Sequence, residues 1–170
     1  DEYRESLDVD FLCESTDGYR MLRNAIYENG IAALFRAPVN PLRETRTDQY
    51  GIRTVLEVEG VPIKFEIVRE GRVNLVGVMD ISLGVPVLSR NDMFVEKLLA
   101  NADRGMDAAT MSRDIVDLAM MISRWGAVPA EAWQKAREVY GPSVDRTFAS
   151  AIQKISDPDY LQRCAEQMQM

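Results

Sequence analysis

From Ser6 to Cys13 the chain alternates, with Leu7, Val9 and Phe11 set against Asp8 and Asp10, and this period of two predicts a half-buried strand. Asp17 then reads as a helix cap, followed by Tyr19, Leu22, Ile26 and Tyr27 at helical spacing and by Gly30 as the stop. Residues 31–35 are expected to form the next strand. Residues 50–58 and 62–69 are β-rich runs joined through Glu59-Gly60, which predicts an antiparallel hairpin, and residues 85–88 add a short strand. Beyond residue 90 the pattern is helical, with helices expected over 91–104, 108–125, 129–139, 143–155 and 157–168. In the second of these, Met111, Ile115, Leu118, Ala119 and Ile122 form one apolar stripe. Gly141-Pro142 and Asp157-Pro158-Asp159 divide the tail, because proline is tolerated in a first helical turn and not in an interior. The pattern is therefore α+β, mixed over residues 1–90 and all-helical over 91–170.

Composition narrows what such a fold can do. A chain of 170 residues, 46% hydrophobic, is long enough for a sizeable core. Its net charge of −7 argues against a protein built mainly to coat nucleic acid or anionic membrane, while leaving room for a local basic groove. There is no histidine, which removes imidazole bases, histidine metal ligands and Ser-His-Asp or Cys-His pairs. Chemistry must then come from carboxylates, Lys, Arg, Tyr, hydroxyls or oxygen-held metals. Cys13 and Cys164 lie far apart without CxxC spacing, against a zinc site or a disulfide scaffold, so a reducing, cytoplasmic setting is expected. No stretch reaches the ~18 apolar residues of a membrane span, and the first residues lack a signal-peptide core.

Four constellations carry candidate chemistry. Asp8 and Asp10 leave the same face of a strand and could converge on a divalent cation, although an isolated Asp-x-Asp is more often an exposed polar face. Glu66, facing away from Phe65 and Ile67, is a candidate third carboxylate and proton acceptor; alone it reads as a charge on the open face of a hairpin. Lys97 and Arg104 stand two helical turns and ~10.5 Å apart, aligned to meet a triphosphate or simply solvated. In Arg113-Asp114-Ile115-Val116-Asp117-Leu118 the two acids are neighbours on a face distinct from the apolar stripe. Either Asp117 joins an i,i+4 surface pair with Arg113, or the acids orient Lys97 or Arg104 or handle the sugar or acceptor of a nucleotide.

In this order, Arg4-x-Ser6-x-Asp8-Val9-Asp10-Phe11, Ile63-Lys64-Phe65-Glu66, Lys97 through Arg104 and the Arg113–Leu118 segment resemble the nucleotidyltransferases of the AbiEii/AbiGii toxin family, within the DNA polymerase beta-like superfamily. The resemblance covers roughly residues 1–125. It implies a mixed-sheet nucleotidyltransferase-like core with an all-helical C-terminal part. It also implies Mg²⁺- or Mn²⁺-dependent transfer of NMP from an NTP to an RNA, such as tRNA, or to a protein, beside a separately encoded antitoxin. By the same resemblance Asp8, Asp10 and Glu66 hold the metal, and Asp114 belongs with them among the catalytic residues. Arg4, Ser6, Lys97, Arg104, Arg113 and Asp117 fall on the nucleotide side.

One departure stands out. The family carries a Gly-Gly or Gly-Ser turn before its Asp-x-Asp strand, where backbone N–H groups help hold the triphosphate. Only seven residues precede Asp8 here and none is Gly. The expectation is either an N-terminally incomplete core or a catalytically degenerate protein-interaction module.

Overall fold

The computed structural model describes Tyr3 and residues 8–170, which divide into two compact units: residues 8–74, and residues 75–170 together with Tyr3. Each is built around its own buried apolar surface.

In the first unit, β1 (Asp8–Cys13) leads into α1 (Thr16–Asn29), and β4 (Gly51–Val58) with β5 (Val61–Arg69) makes the expected hairpin. Its two-residue turn, Glu59 at φ 52° and Gly60 at φ 80°, has the left-handed conformation at both positions that matches the twist of the arms. β1 pairs in parallel with β5, while β4 pairs antiparallel with β5 and with the two-residue strands β2 (Asn40–Pro41) and β3 (Arg46–Thr47). One face of this sheet is apolar: Ile52, Leu56, Phe65 and Ile67 pack against Tyr19 and Ile26 of α1 and against Ile31. Phe65 meets the rings of Phe11 and Phe35 at 5.8 and 5.1 Å between centroids.

Two expectations for this unit are corrected. The cap of α1 is Ser15, whose Oγ accepts the Gly18 N–H at 3.0 Å; Asp17 lies inside the first turn, 3.1 Å from Arg20. Residues 31–34 form a 3₁₀ turn and not a strand. Gly30 turns the chain at φ 73°, and in the following residues Ile31 is buried, Ala32 and Ala33 are exposed and Leu34 is half-buried, a spacing of three that suits a 3₁₀ turn.

The second unit opens with an antiparallel hairpin, β6 (Gly77–Asp80) and β7 (Val85–Leu88), and continues as α2 (Arg90–Arg104), α3 (Arg113–Trp125), α4 (Ala130–Tyr140), α5 (Ser143–Ile155) and α6 (Pro158–Gln167). α2 is its centre. Val95, Leu98 and Leu99 are fully buried, and Ala132 and Ala136 of α4 with Ala151 of α5, equally buried, are small enough to let the neighbouring helices approach closely. The single helix expected over 108–125 is broken. A 3₁₀ turn at Ala108–Thr110 ends in Met111 and Ser112, both left-handed at φ 49° and 54°, and α3 starts only after them. The expected stripe also shifts: Ile115 and Leu118 are buried as read, but Ala119 is exposed and Asp114 and Asp117 take buried places.

The start of α2 is held by a buried carboxylate. Asp92 accepts hydrogen bonds from the Ser89 hydroxyl at 3.1 Å, the Val76 N–H at 2.7 Å and the Lys135 ammonium of α4, so a single side chain ties the hairpin, the helix cap and a second helix. Removing one member of a buried ion pair leaves the other uncompensated, at a cost of several kcal/mol. Asp92→Ala is expected to lower stability by about 3 kcal/mol in urea unfolding at neutral pH; a change below about 1 kcal/mol would show that this tie does not hold the unit together.

Candidate functional site

The polar face of the sheet carries the first group of expected residues. The parallel register sets Asp8 beside Lys64 and Asp10 beside Glu66, and the hairpin register sets Glu66 beside Arg53. Arg53, Glu66 and Asp10 therefore form a row across three strands, ~4.8 Å apart from strand to strand. Arg53 Nε donates to Glu66 Oε1 at 2.5 Å, and Lys64 Nζ lies 3.5 Å from Glu66 Oε2 and 3.8 Å from Asp8 Oδ2. Arg53 also reaches Asp48 Oδ2 at 3.4 Å. Asp48 accepts the Tyr50 and Gly51 N–H groups, and these bonds with the nearby guanidinium hold its carboxyl below the usual carboxylate range. The face thus interleaves carboxylates with cations. Among the described residues no group of three or more His, Cys, Asp or Glu is arranged to hold a metal ion. The row supplies hard oxygen donors as a pair in register, Asp10 and Glu66, with Asp8 two residues along; a Mg²⁺ that keeps waters and substrate phosphates in its shell asks the protein for one or two carboxylates.

The second group converges in the helical unit. Asp114 and Asp117, one turn apart on α3, are 1% and 2% exposed, and both point at Lys97 of α2. Lys97 Nζ donates to Asp117 Oδ2 and, at 3.3 Å, to Asp114 Oδ1; Arg104 donates from Nε and Nη2 to the two oxygens of Asp114 at 2.7 and 3.0 Å. This fork-to-fork geometry is the strong form of an Arg–carboxylate pair. Tyr3 completes the cluster, its hydroxyl donating to Asp117 Oδ1 at 2.6 Å. Lys97, Asp117 and Tyr3 line a cavity of about 600 Å³ whose other walls include Met93, Met120, Met121 and Trp125. The Arg104 guanidinium is turned to Asp114 and is not among the residues lining this cavity.

A match to the family described as Nucleotidyl transferase AbiEii toxin, Type IV TA system, spans residues 1–170. The chain belongs to the AbiEii family. No curated protein and no solved structure matches it. The α+β fold with a helical C-terminal part is the expected one, and no helix of the described residues is long and apolar enough to cross a membrane. For this AbiEii protein the two expected groups, Asp8, Asp10 and Glu66 on the sheet and Lys97, Arg104, Asp114 and Asp117 on α2 and α3, are each brought together within their own unit. Arg4 and Ser6 lie outside the described residues, and Arg113, half-buried, sits one residue before Asp114 at the start of α3. Sequence reasoning missed Arg53, Lys64 and Tyr3 as partners of these acids. Arg53 was accessible from the hairpin: a two-residue turn at Glu59-Gly60 fixes a register in which residue 53 faces residue 66.

Burial alone pushes the Asp114 carboxyl up. The Arg104 hydrogen bonds and the charges of Lys97 and Arg104 outweigh it and hold the group below the usual carboxylate range. Asp92 behaves likewise, with burial opposed by Lys135, the Val76 N–H and Ser89. A carboxyl depressed in the fold contributes its full stabilisation above its unfolded value of ~3.9 and loses it as pH falls through the folded value. Stability is expected to stay level from pH 7 to about 5 and to fall below about pH 4. Asp114→Asn should cost about 2 kcal/mol at neutral pH, because Lys97 and Arg104 lose their shared anion while staying partly solvated, and should flatten the acid branch. Urea titrations across pH measure both; an acid branch unchanged in the variant would contradict the assignment.

Proposed function

We propose that this AbiEii toxin transfers a nucleoside monophosphate from an NTP to an RNA or protein acceptor, with Mg²⁺ or Mn²⁺ as cofactor. The observation that carries the reading is Lys97, a cation fixed by two buried carboxylates at the wall of a cavity lined by methionines and an aromatic ring. A surface lysine kept solvated for its own sake needs no such support. In this reading Lys97 neutralises nucleotide phosphate, while Asp114, with Arg104 behind it, and Asp117 with Tyr3 hold the ammonium in place. The methionine and Trp125 walls offer apolar surface to the rest of the nucleotide. Within the sheet unit, Asp10 and Glu66 in register, with Asp8 two residues along, are the carboxylates that would supply a metal's ligands, and the metal would neutralise charge on a phosphoryl group. The acceptor oxygen forms its bond to the α-phosphorus, the bond from that phosphorus to the bridging oxygen breaks, pyrophosphate leaves, and the acceptor proton passes to a carboxylate of the row.

A second reading, a non-catalytic interaction module, is favoured by one observation: Arg53 and Lys64 already engage the oxygens of Glu66. A test separates the two. With α-labelled NTPs and Mg²⁺, the full chain is expected to release pyrophosphate and to label RNA or protein, and Asp10→Asn and Lys97→Ala are each expected to lower the rate 100-fold or more. Full activity in Asp10→Asn would sink the proposal. NTP binding without any transfer under all metal conditions would leave the module reading.

A further inference from the structure

In the first unit a groove of about 470 Å³ runs between α1, the Arg46–Gln49 segment and the end of β5. Its chemistry differs from that of the acidic chain around it. Arg20 and Arg23 stand one turn apart on the exposed side of α1, Tyr27 follows one turn later, and Arg69 ends β5 opposite them. Arg69 Nη2 donates to Thr16 Oγ1 at 3.2 Å, which fixes its head at the start of α1. Arg20 pairs with Asp17 at 3.1 Å, but both side chains are largely exposed, so the pair is weak and easily exchanged for another anion. Tyr27 is 92% exposed, a ring with almost no protein packed on it. Asn24 and Gln49 add amide groups along the same walls.

Three guanidiniums with a bare aromatic ring and amides form the combination that follows a phosphodiester chain and stacks its bases. An acidic peptide would use the arginines and leave the ring and amides idle. In a chain of net charge −7 a local cluster of guanidiniums also directs a polyanion to this groove and away from the rest of the surface. The groove lies on the α1 face of the sheet and the carboxylate row on the other, and Asp48 links them at the sheet edge. Thr47 and Gln49 line it, Asp48 between them pairs with Arg53, and Arg53 pairs with Glu66. The Tyr19 hydroxyl, from the groove floor, donates to the Asp48 carbonyl at 2.7 Å. Along β5, Arg69 is three residues from Glu66, ~10 Å, and on the opposite face.

We propose that this groove binds the sugar-phosphate backbone of a single-stranded nucleic acid, with Arg20, Arg23 and Arg69 on successive phosphates and Tyr27 stacked on a base. The inference rests on the transferase reading in one respect: it makes the acceptor a nucleic acid and not a protein.

The test uses the full chain with 5′-fluorescein oligo(rU) and oligo(dT) twelve-mers in fluorescence anisotropy, with salt varied. Binding is expected to weaken with salt. The triple reversal Arg20→Glu/Arg23→Glu/Arg69→Glu is expected to weaken it at least 30-fold and to reduce the slope of log K against log salt by about 2, three phosphates at ~0.7 each. Tyr27→Ala should cost about tenfold with the slope kept, since stacking carries no counterion release. All four substituted side chains lie on the surface, and circular dichroism of the variants is expected to match the parent. The tighter of the two oligonucleotides identifies RNA or DNA as the source of the strand. Failure of the parent to bind either strand, or equal binding by the triple reversal, overturns the groove. Transfer is scored separately: binding lost in the reversal while no variant transfers NMP would sink the transferase reading and keep the groove, whereas unchanged RNA labelling by the reversal would do the opposite.

Discussion

Two carboxylates at the buried start of α3 cannot be left without counter-charge. Asp114 and Asp117 are almost fully covered, and an ionised carboxylate in that position costs several kcal/mol unless cations and hydrogen bonds meet it. Lys97 and Arg104 meet it, from positions two turns apart on α2. That requirement fixes the rotation of α2 and α3 about their axes: the same rotation that aims the cations at α3 turns Leu98 and Leu99 into the core, and the rotation that buries the acids also buries Ile115 and Leu118. Electrostatic and apolar demands thus agree on a single arrangement.

The sheet of the first unit meets the opposite condition. Its acids share cations across strands, and the exposed Lys64–Asp8 contact is weak and replaceable, while Glu66, half-buried, is held more closely by Arg53. A face of this kind can accept a change of partner at little cost. The Lys97 cluster, by contrast, holds a fixed geometry. Within their own units the two groups therefore differ, one adaptable and the other rigid.

Much of the fold was legible because strong local signals governed it. The alternation of residues 8–13, the Glu59-Gly60 turn and the proline and glycine punctuation of the tail each act over a few residues, and each produced the expected element. The local errors share a cause: Ile31–Phe35 is apolar without true alternation, and no residue type at Met111 or Ser112 announces a left-handed backbone. Where a helix is amphipathic, periodicity separates polar from apolar faces, and so it set Asp114 and Asp117 apart from the stripe; only the pairing with Lys97 and Arg104 allows them inside. The adjacency of Asp10 and Glu66 needed a parallel pairing between segments more than fifty residues apart, which a single sequence does not reveal.

The left-handed pair Met111–Ser112 does more than interrupt a helix. Because α3 begins only at Arg113, Asp114 falls in its first turn, at the positive end of the helix dipole, while Arg104 lies in the last turn of α2, at a negative end. Each side chain is therefore favoured by its own helix before the two meet. The bidentate bond between them joins the tail of one dipole to the head of the next, and the eight residues from 105 to 112 close a corner whose two ends attract each other. A continuous helix from residue 108 would have put Asp114 in the middle of a rod, where no dipole end supports its charge.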